Sequence, residues 1–425
     1  MSHFSYRDGV LHADQVALDR VAEQFGTPTY VYSKSALLDN FNAYAQPCAG
    51  RDALVCYAMK ANSNLAILDL LARQGAGFDI VSGGELLRVL AAGGDPRKVI
   101  FSGVGKTVEE MKLALSHQIL CFNVESIPEL HRLNAVAGEM GVTAPVSLRV
   151  NPNVDPKTHP YIATGLKANK FGVAFDDALE TYRTAAALPH LEPVGIDCHI
   201  GSQLLDDAPL LEALDKLIEL IDTLDREGIH LHHLDIGGGI GIAYGEAGES
   251  EPVAVGDYIA RLFERIDAWR AEKHAGRAIK VIFEPGRSIV GNTGVLLTRV
   301  EYLKPGQEKN FCVVDAAMND LMRPTLYQAW MDVKPVVPRS GAAHTYDVVG
   351  PVCESGDWLA RERKLAVEQG DLLAVMQAGA YGHTMSSNYN TRGRAAEVIV
   401  DGDQVHLVRQ RENPADLFKL ETLLK

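Results

Sequence analysis

The chain has 425 residues, 47% of them hydrophobic, a length that allows roughly two to three domains and a large buried core. Its 41 basic and 55 acidic side chains leave a formal charge of −14, which argues against a nucleic-acid or anionic-membrane surface because both need a basic face. Six cysteines (Cys48, Cys56, Cys121, Cys198, Cys312 and Cys353) lack paired spacing, a pattern of reduced thiols and not of a disulfide framework. No CxxC or HExxH pattern supports a metal site. Met1 to Asp14 lacks an apolar signal core, and no apolar stretch approaches a membrane span. A cytoplasmic protein acting on small molecules is expected.

In chain order, Thr29-Tyr30-Val31-Tyr32 reads as extended and could join either of two domains. From about residue 36, short β-branched runs alternate with helical stretches, the signature of parallel βα units. Ala53–Tyr57 leads to a helix over 65–72, Gly77–Val81 to one over 84–92, and Val99–Phe101 to one over 108–116. Ile119–Val124 leads to a helix over 128–138, and Val146–Val150 passes through a long loop to a helix over 177–187. Val194–Cys198 precedes 210–224, Leu231–Ile236 precedes 258–271, and Lys280–Phe283 completes the set. Eight such strands close a (β/α)8 barrel, here over residues 36–290. Beyond it, over 291–425, short strands take over at Val295–Leu297, Phe311–Val314, Asp347–Val349 and Leu372–Val375. A hairpin over Val398–Leu407 turns at Asp401-Gly402. This is a separate, mainly β domain.

Barrel enzymes carry their chemistry at the carboxyl ends of the strands. Lys60 follows the first strand in Tyr57-Ala58-Met59-Lys60-Ala61-Asn62. Desolvation there would favour a neutral amine able to attack a carbonyl and form a Schiff base, although a lysine closing a strand can equally be a solvated charge. Asp79 and Ser82-Gly83-Gly84 follow the second strand, and Arg149 with Asn151-Pro152-Asn153 the fifth. His199 in His199-Ile200-Gly201-Ser202-Gln203 follows the sixth strand and offers a flat ring for stacking, with Ser202 a donor to phosphate. A lone histidine can also be a satisfied core residue. Gly237-Gly238-Gly239-Ile240-Gly241 follows the seventh, where barrels often bind phosphate through backbone N–H groups; a plain tight loop is the blander reading. Glu284 opens Glu284-Pro285-Gly286-Arg287 after the eighth. It could simply pair with a neighbouring base, or it could keep a pyridine nitrogen protonated so that the ring acts as an electron sink. One cofactor, pyridoxal phosphate, accounts for Lys60, His199, the Gly237–Gly241 run with Gly286, and Glu284 together.

These residues, with Gly350-Pro351-Val352-Cys353-Glu354-Ser355-Gly356-Asp357, resemble the fold-type III pyridoxal-phosphate decarboxylases from about Thr27 to Arg394. The closest likeness is to the carboxy-lyases of that family that convert meso-2,6-diaminopimelate to L-lysine and carbon dioxide, the last step of lysine biosynthesis. The resemblance implies an alanine-racemase-like barrel, a C-terminal domain of Greek-key barrel type, and an N-terminal segment, 1–35, packed with that domain. It implies cofactor contacts from Lys60, His199, Ser202, Gly238, Gly239, Glu284, Pro285, Gly286, Arg287 and Tyr381. It also implies a homodimer with shared sites, in which Cys353 and Glu354 reach the other subunit's cofactor and Cys353 returns a proton to the substrate. Glycine and proline before Cys353 argue for an exposed loop there, although a free cysteine is by default a small buried hydrophobe.

Substrate recognition follows from charge. Arg287, Arg323 and Tyr327 offer donors to a carboxylate, and Glu354 an acceptor for an ammonium, so the site suits a second amino-acid head. Tyr381 is expected to touch substrate as well as phosphate by family likeness. The loop from Asn151 to Gly172, containing Thr158-His159-Pro160-Tyr161 and Lys170-Phe171-Gly172, is the expected lid. Ornithine, arginine or carboxynorspermidine decarboxylation, racemisation, or a catalytically silent relative stay open as alternatives.

Overall fold

The computed structural model describes residues 3–155, 169–245, 251–273 and 278–424. Thr158 to Tyr161, the centre of the expected lid, lie outside the described residues. The chain divides into two units, one of Phe41–Ile242 with Glu251–Ser288 and one of Met1–Asn40, Ala243–Ser250 and Ile289–Lys425.

The first unit is a barrel. Its strands are Ala53–Ala58, Gly77–Ile80, Val99–Phe101, Cys121–Val124, Ala144–Asn151, Leu191–Asp197, His233–Asp235 and Lys280–Phe283, all parallel. Pairing of Val281 to Phe283 with Ala53 to Val55 closes the ring. Every strand expected from the pattern is present. Helices begin close behind the strand ends because the connecting residues cap them: the side chains of Asn64, Ser82, Thr107 and Ser126 each accept a hydrogen bond from a first-turn amide. Thr107 with Glu110 forms a full capping box.

Strand alternation then sorts the interior into layers, since every second residue faces the barrel axis. Cys56, Ile100, Cys121 and Ile282 form one apolar cluster with Leu54, Leu120 and Val194 packed against it. Two residues further along the same strands stand Asn123 and Glu284, and on neighbouring strands Asp79, Arg149, Asp197 and Asp235, all buried. The barrel is thus apolar below and polar toward the carboxyl ends. Gly195 is required where a Cβ would lie 1.8 Å from Nε2 of the buried His233.

The second unit is mainly β. A small antiparallel sheet over Phe4–Arg7, Val10–Ala13 and Val16–Ala17 precedes a nine-stranded mixed sheet. Thr29–Ser33, ambiguous by pattern, pairs antiparallel with the stretch from Gly294 to Leu297 and parallel with that from Ala396 to Val400. Leu11, Leu18, Val31, Val295, Leu297, Ala374, Val398 and Val400 share its core. Several strands escaped the sequence reading: Phe4–Arg7, Val10–Ala13, Val16–Ala17, Val333–Pro335 and, the longest, Trp358–Leu365. The charges of Arg361-Glu362-Arg363-Lys364 hide its alternation, and Glu362 has a left-handed φ of 58° beside a register irregularity.

Candidate active site

Lys60 lies on the single 3-10 turn Met59–Ala61 that ends the first barrel strand, between two fully buried neighbours. Its amine donates to Asp79 Oδ2 at 2.6 Å, with Lys60 34% exposed and Asp79 wholly buried. The expectation of a simply desolvated lysine is therefore corrected: Lys60 meets a dedicated counter-ion on the next strand. The eighth strand end adjoins this turn. The Ala58 amide donates to the Pro285 carbonyl at 3.0 Å, and a Cβ on Gly286 would crowd Ala58 and Ala61 at 3.2 Å.

Behind Lys60 the carboxylates gather. Asp197, Asp235 and Glu284 each bring an oxygen within 4.8 Å of the others. Glu284 is pushed well above the ordinary carboxylate range by burial first, then by Asp235, Asp79 and Asp197, with Lys60 opposing. Asp235 is raised by burial and then by Asp197. Asp197 is raised by burial too, against the pull of Arg149. Burial and mutual repulsion therefore both oppose full ionisation of this cluster. Arg149 stands 3.5 Å from Glu125, whose other oxygen accepts from the Gly172 amide at 2.9 Å, and its guanidinium lies 4.9 Å from the Phe171 ring centre. The last residues of the expected lid are thereby fastened to the barrel.

His199 is half-buried, and its pKa is driven well below the ordinary value by desolvation first, then by Arg149 and Lys60. The Gly238 amide donates to its Nδ1 at 3.2 Å, so the ring is a neutral tautomer with its proton on Nε2. That bond narrows the expected phosphate cradle. The Gly237 amide is committed to Asp235 Oδ1 and the Gly241 amide to the Leu204 carbonyl. Gly239 and Ile240 are left as the amides of the run without a partner among the described residues. Arg287, buried, donates from Nε and Nη2 to Ser202 Oγ at 3.3 and 3.1 Å, joining two expected anion ligands.

The other residues expected at the site belong to the β unit, a separate unit of the chain. Arg323 begins the short helix Arg323–Tyr327, is buried, and lies 4.3 Å from the centre of the Tyr244 ring. Tyr327, at the helix end, is half-buried. Thr325 Oγ1 donates to the Gly356 carbonyl at 2.6 Å, tying this helix to the loop that carries Cys353 and Glu354. Cys353 is exposed while the other five cysteines are buried. Asp357, whose role the sequence reading missed, braces the loop by accepting from the Met318 and Val352 amides at 2.6 and 2.7 Å. A Cβ on Gly350 would lie 2.5 Å from the same carboxylate. Tyr381 is held at φ 54°, a left-handed conformation that marks a bulky residue as an outlier. Asp197 and Asp235 were also missed. Their signal was available as acidic residues at inward positions of otherwise apolar strands.

The barrel residues fit pyridoxal phosphate. Asp79 Oδ1 and Asp197 Oδ1 are buried acceptors without hydrogen-bond partners among the described residues, close to Lys60 and to Glu284 respectively, so the barrel end has polar capacity that a ring N–H can use. Backbone approach is enforced at Gly238, where a Cβ would lie 2.1 Å from the Glu284 carbonyl. Gly238→Ala is expected to destabilise the protein by about 3 kcal/mol and to abolish cofactor binding, read from the denaturant midpoint and from retained cofactor absorbance.

Comparison with known proteins agrees. Residues 35–291 match the pyridoxal-dependent decarboxylase, pyridoxal binding domain family. The diaminopimelate decarboxylase of Pseudomonas aeruginosa is 60% identical, and that of Vibrio cholerae 57%, each over the full length of both chains. The crystal structure of diaminopimelate decarboxylase from Helicobacter pylori complexed with L-lysine superposes with a TM-score of 0.89 at 42% identity, covering 95% of this chain and 99% of that one. The M. jannaschii enzyme in co-complex with L-lysine gives 0.92 at 38% identity, covering 99% and 98%. With its barrel, its lysine-carboxylate pair and these full-length relatives, the chain belongs to the diaminopimelate decarboxylase family of pyridoxal-dependent decarboxylases.

Proposed function

We propose that the protein decarboxylates meso-2,6-diaminopimelate to L-lysine and carbon dioxide with pyridoxal phosphate as cofactor. The observation that carries this reading is the meeting, in one barrel, of Lys60 on Asp79, a neutral His199 and the buried Glu284 carboxyl. Bound pyridoxal phosphate supplies the electron sink that accepts the pair left behind when carbon dioxide departs. Lys60 would hold the cofactor through its amine, and Asp79 is the counter-ion available to that amine. Glu284 would keep the ring nitrogen protonated, and His199 would offer an uncharged flat ring for stacking. Ser202, Arg287, Gly239 and Gly286 hold the phosphate, with Gly238 and Pro285 shaping the backbone around it and Tyr381 joining from the β unit.

Cys353 donates its thiol proton to the substrate α carbon. The far amino-acid head is taken by Arg323, Tyr327 and Arg287 at its carboxylate and by Glu354 at its ammonium. Exposure of Cys353 on a braced loop supports a homodimer in which Cys353 and Glu354 complete the partner's site. Residues 36–290 form the cofactor domain, 291–425 the β domain, and 1–35 a segment associated with the latter. Unpaired cysteines support a cytoplasmic location; among the described residues no helix is long and apolar enough to cross a membrane.

The test is carbon dioxide release from a panel of meso-diaminopimelate, ornithine, arginine and lysine. Release from meso-diaminopimelate with L-lysine as product is expected, since unpaired charged groups in the site penalise a substrate lacking the second head by about 10⁴-fold. Preference for ornithine would overturn the assignment.

A further inference from the structure

The turn after Asn388 carries two backbone outliers, Asn390 at φ 55° and Thr391 at φ 56°. A β-branched residue rarely enters the left-handed region, and such strain persists only where the surroundings over-determine it. Both flanks are pinned here. Asn388 Nδ2 donates to Glu412 Oε2 at 2.7 Å and to the Arg392 carbonyl at 3.0 Å, and Arg394 Nη1 donates to Asn388 Oδ1 at 2.8 Å. Arg392 Nε donates to Asn319 Oδ1 at 2.9 Å, and its Nη2 to the Asp315 carbonyl.

The held turn directs two consecutive side chains at one target. The Tyr389 hydroxyl donates to Glu354 Oε2 at 3.0 Å, and Asn390 Oδ1 accepts from the Cys353 amide at 3.2 Å. Tyr389, Asn390, Cys353 and Glu354 are all exposed, so water could satisfy each group and folding alone does not require either bond. Strain maintained for two dispensable bonds to adjacent residues points to a use for their geometry.

We infer that Tyr389 and Asn390 are positioning residues, a clasp that holds the Glu354 carboxylate and the Cys353 backbone in place before substrate arrives. The inference rests on the reading of Glu354 as the ammonium acceptor and Cys353 as the proton donor. Tyr389 engages Oε2 of Glu354 and leaves Oε1 for the distal ammonium. Without the clasp, the substrate must itself order a glutamate that is free to change rotamer.

The holoenzyme tests this. Tyr389→Phe removes one hydroxyl and is expected to raise KM for meso-diaminopimelate by about five- to tenfold with kcat and cofactor absorbance unchanged. In a Glu354→Gln background the same change should add nothing further, because the two act through one contact. A raised KM in Glu354→Gln with an unaltered one in Tyr389→Phe overturns the clasp alone. If neither variant moves KM, the role given to Glu354 fails and the inference fails with it. Asn390→Gly keeps the left-handed backbone and deletes the amide. Iodoacetamide should then label Cys353, the exposed cysteine, about two- to fivefold faster; an unchanged rate overturns the part assigned to Asn390.

Discussion

Lys60→Ala is expected to lose the visible absorbance of bound cofactor and to lower kcat by at least about a thousandfold, because no other amine replaces the anchoring nucleophile. Lys60→Arg separates two contributions. It keeps a cation for the 2.6 Å pair with the buried Asp79 but cannot make the covalent attachment, since a guanidinium stays protonated. Its fold stability should match the parent while its activity matches Lys60→Ala. A Lys60→Ala protein that retains the absorbance would refute the anchoring role. A Lys60→Arg protein that is active would show that the charge on Asp79, and not the amine, is what the site needs.

Mixed subunits give the second large effect. Cys353→Ala is expected to lower kcat by at least about a hundredfold, the scale of a lost general acid. If the Cys353 loop serves the partner's barrel, co-expressing Lys60→Ala with Cys353→Ala subunits restores up to about a quarter of parental activity. Half of randomly formed dimers are mixed, and each mixed dimer owns one site with both residues intact. If each chain completed its own site, both sites of every mixed dimer would lack one residue and co-expression would restore nothing. The measured recovery therefore distinguishes a shared site from a self-contained one.

The barrel was legible in the chain because its strand and helix periods differ; the caps Asn64, Ser82, Thr107 and Ser126 came to light in the structure. The sequence by itself also marked Lys60, His199 and Glu284, since strand ends are where a barrel places chemistry. The strand Trp358–Leu365 stayed hidden because its charged run masks the alternation, although it pairs with the strand just before it, His344–Val349. Tertiary structure alone decided the electrostatics: which of Asp79, Asp197, Asp235 and Glu284 face one another depends on closure of the ring, and their pKa shifts depend on the water that closure removes. It likewise decided that the Gly238 amide serves His199 and that Tyr389 serves Glu354. Periodicity is written in neighbouring residues, whereas the partner of a side chain 35 or 39 positions away is set only when the chain has folded.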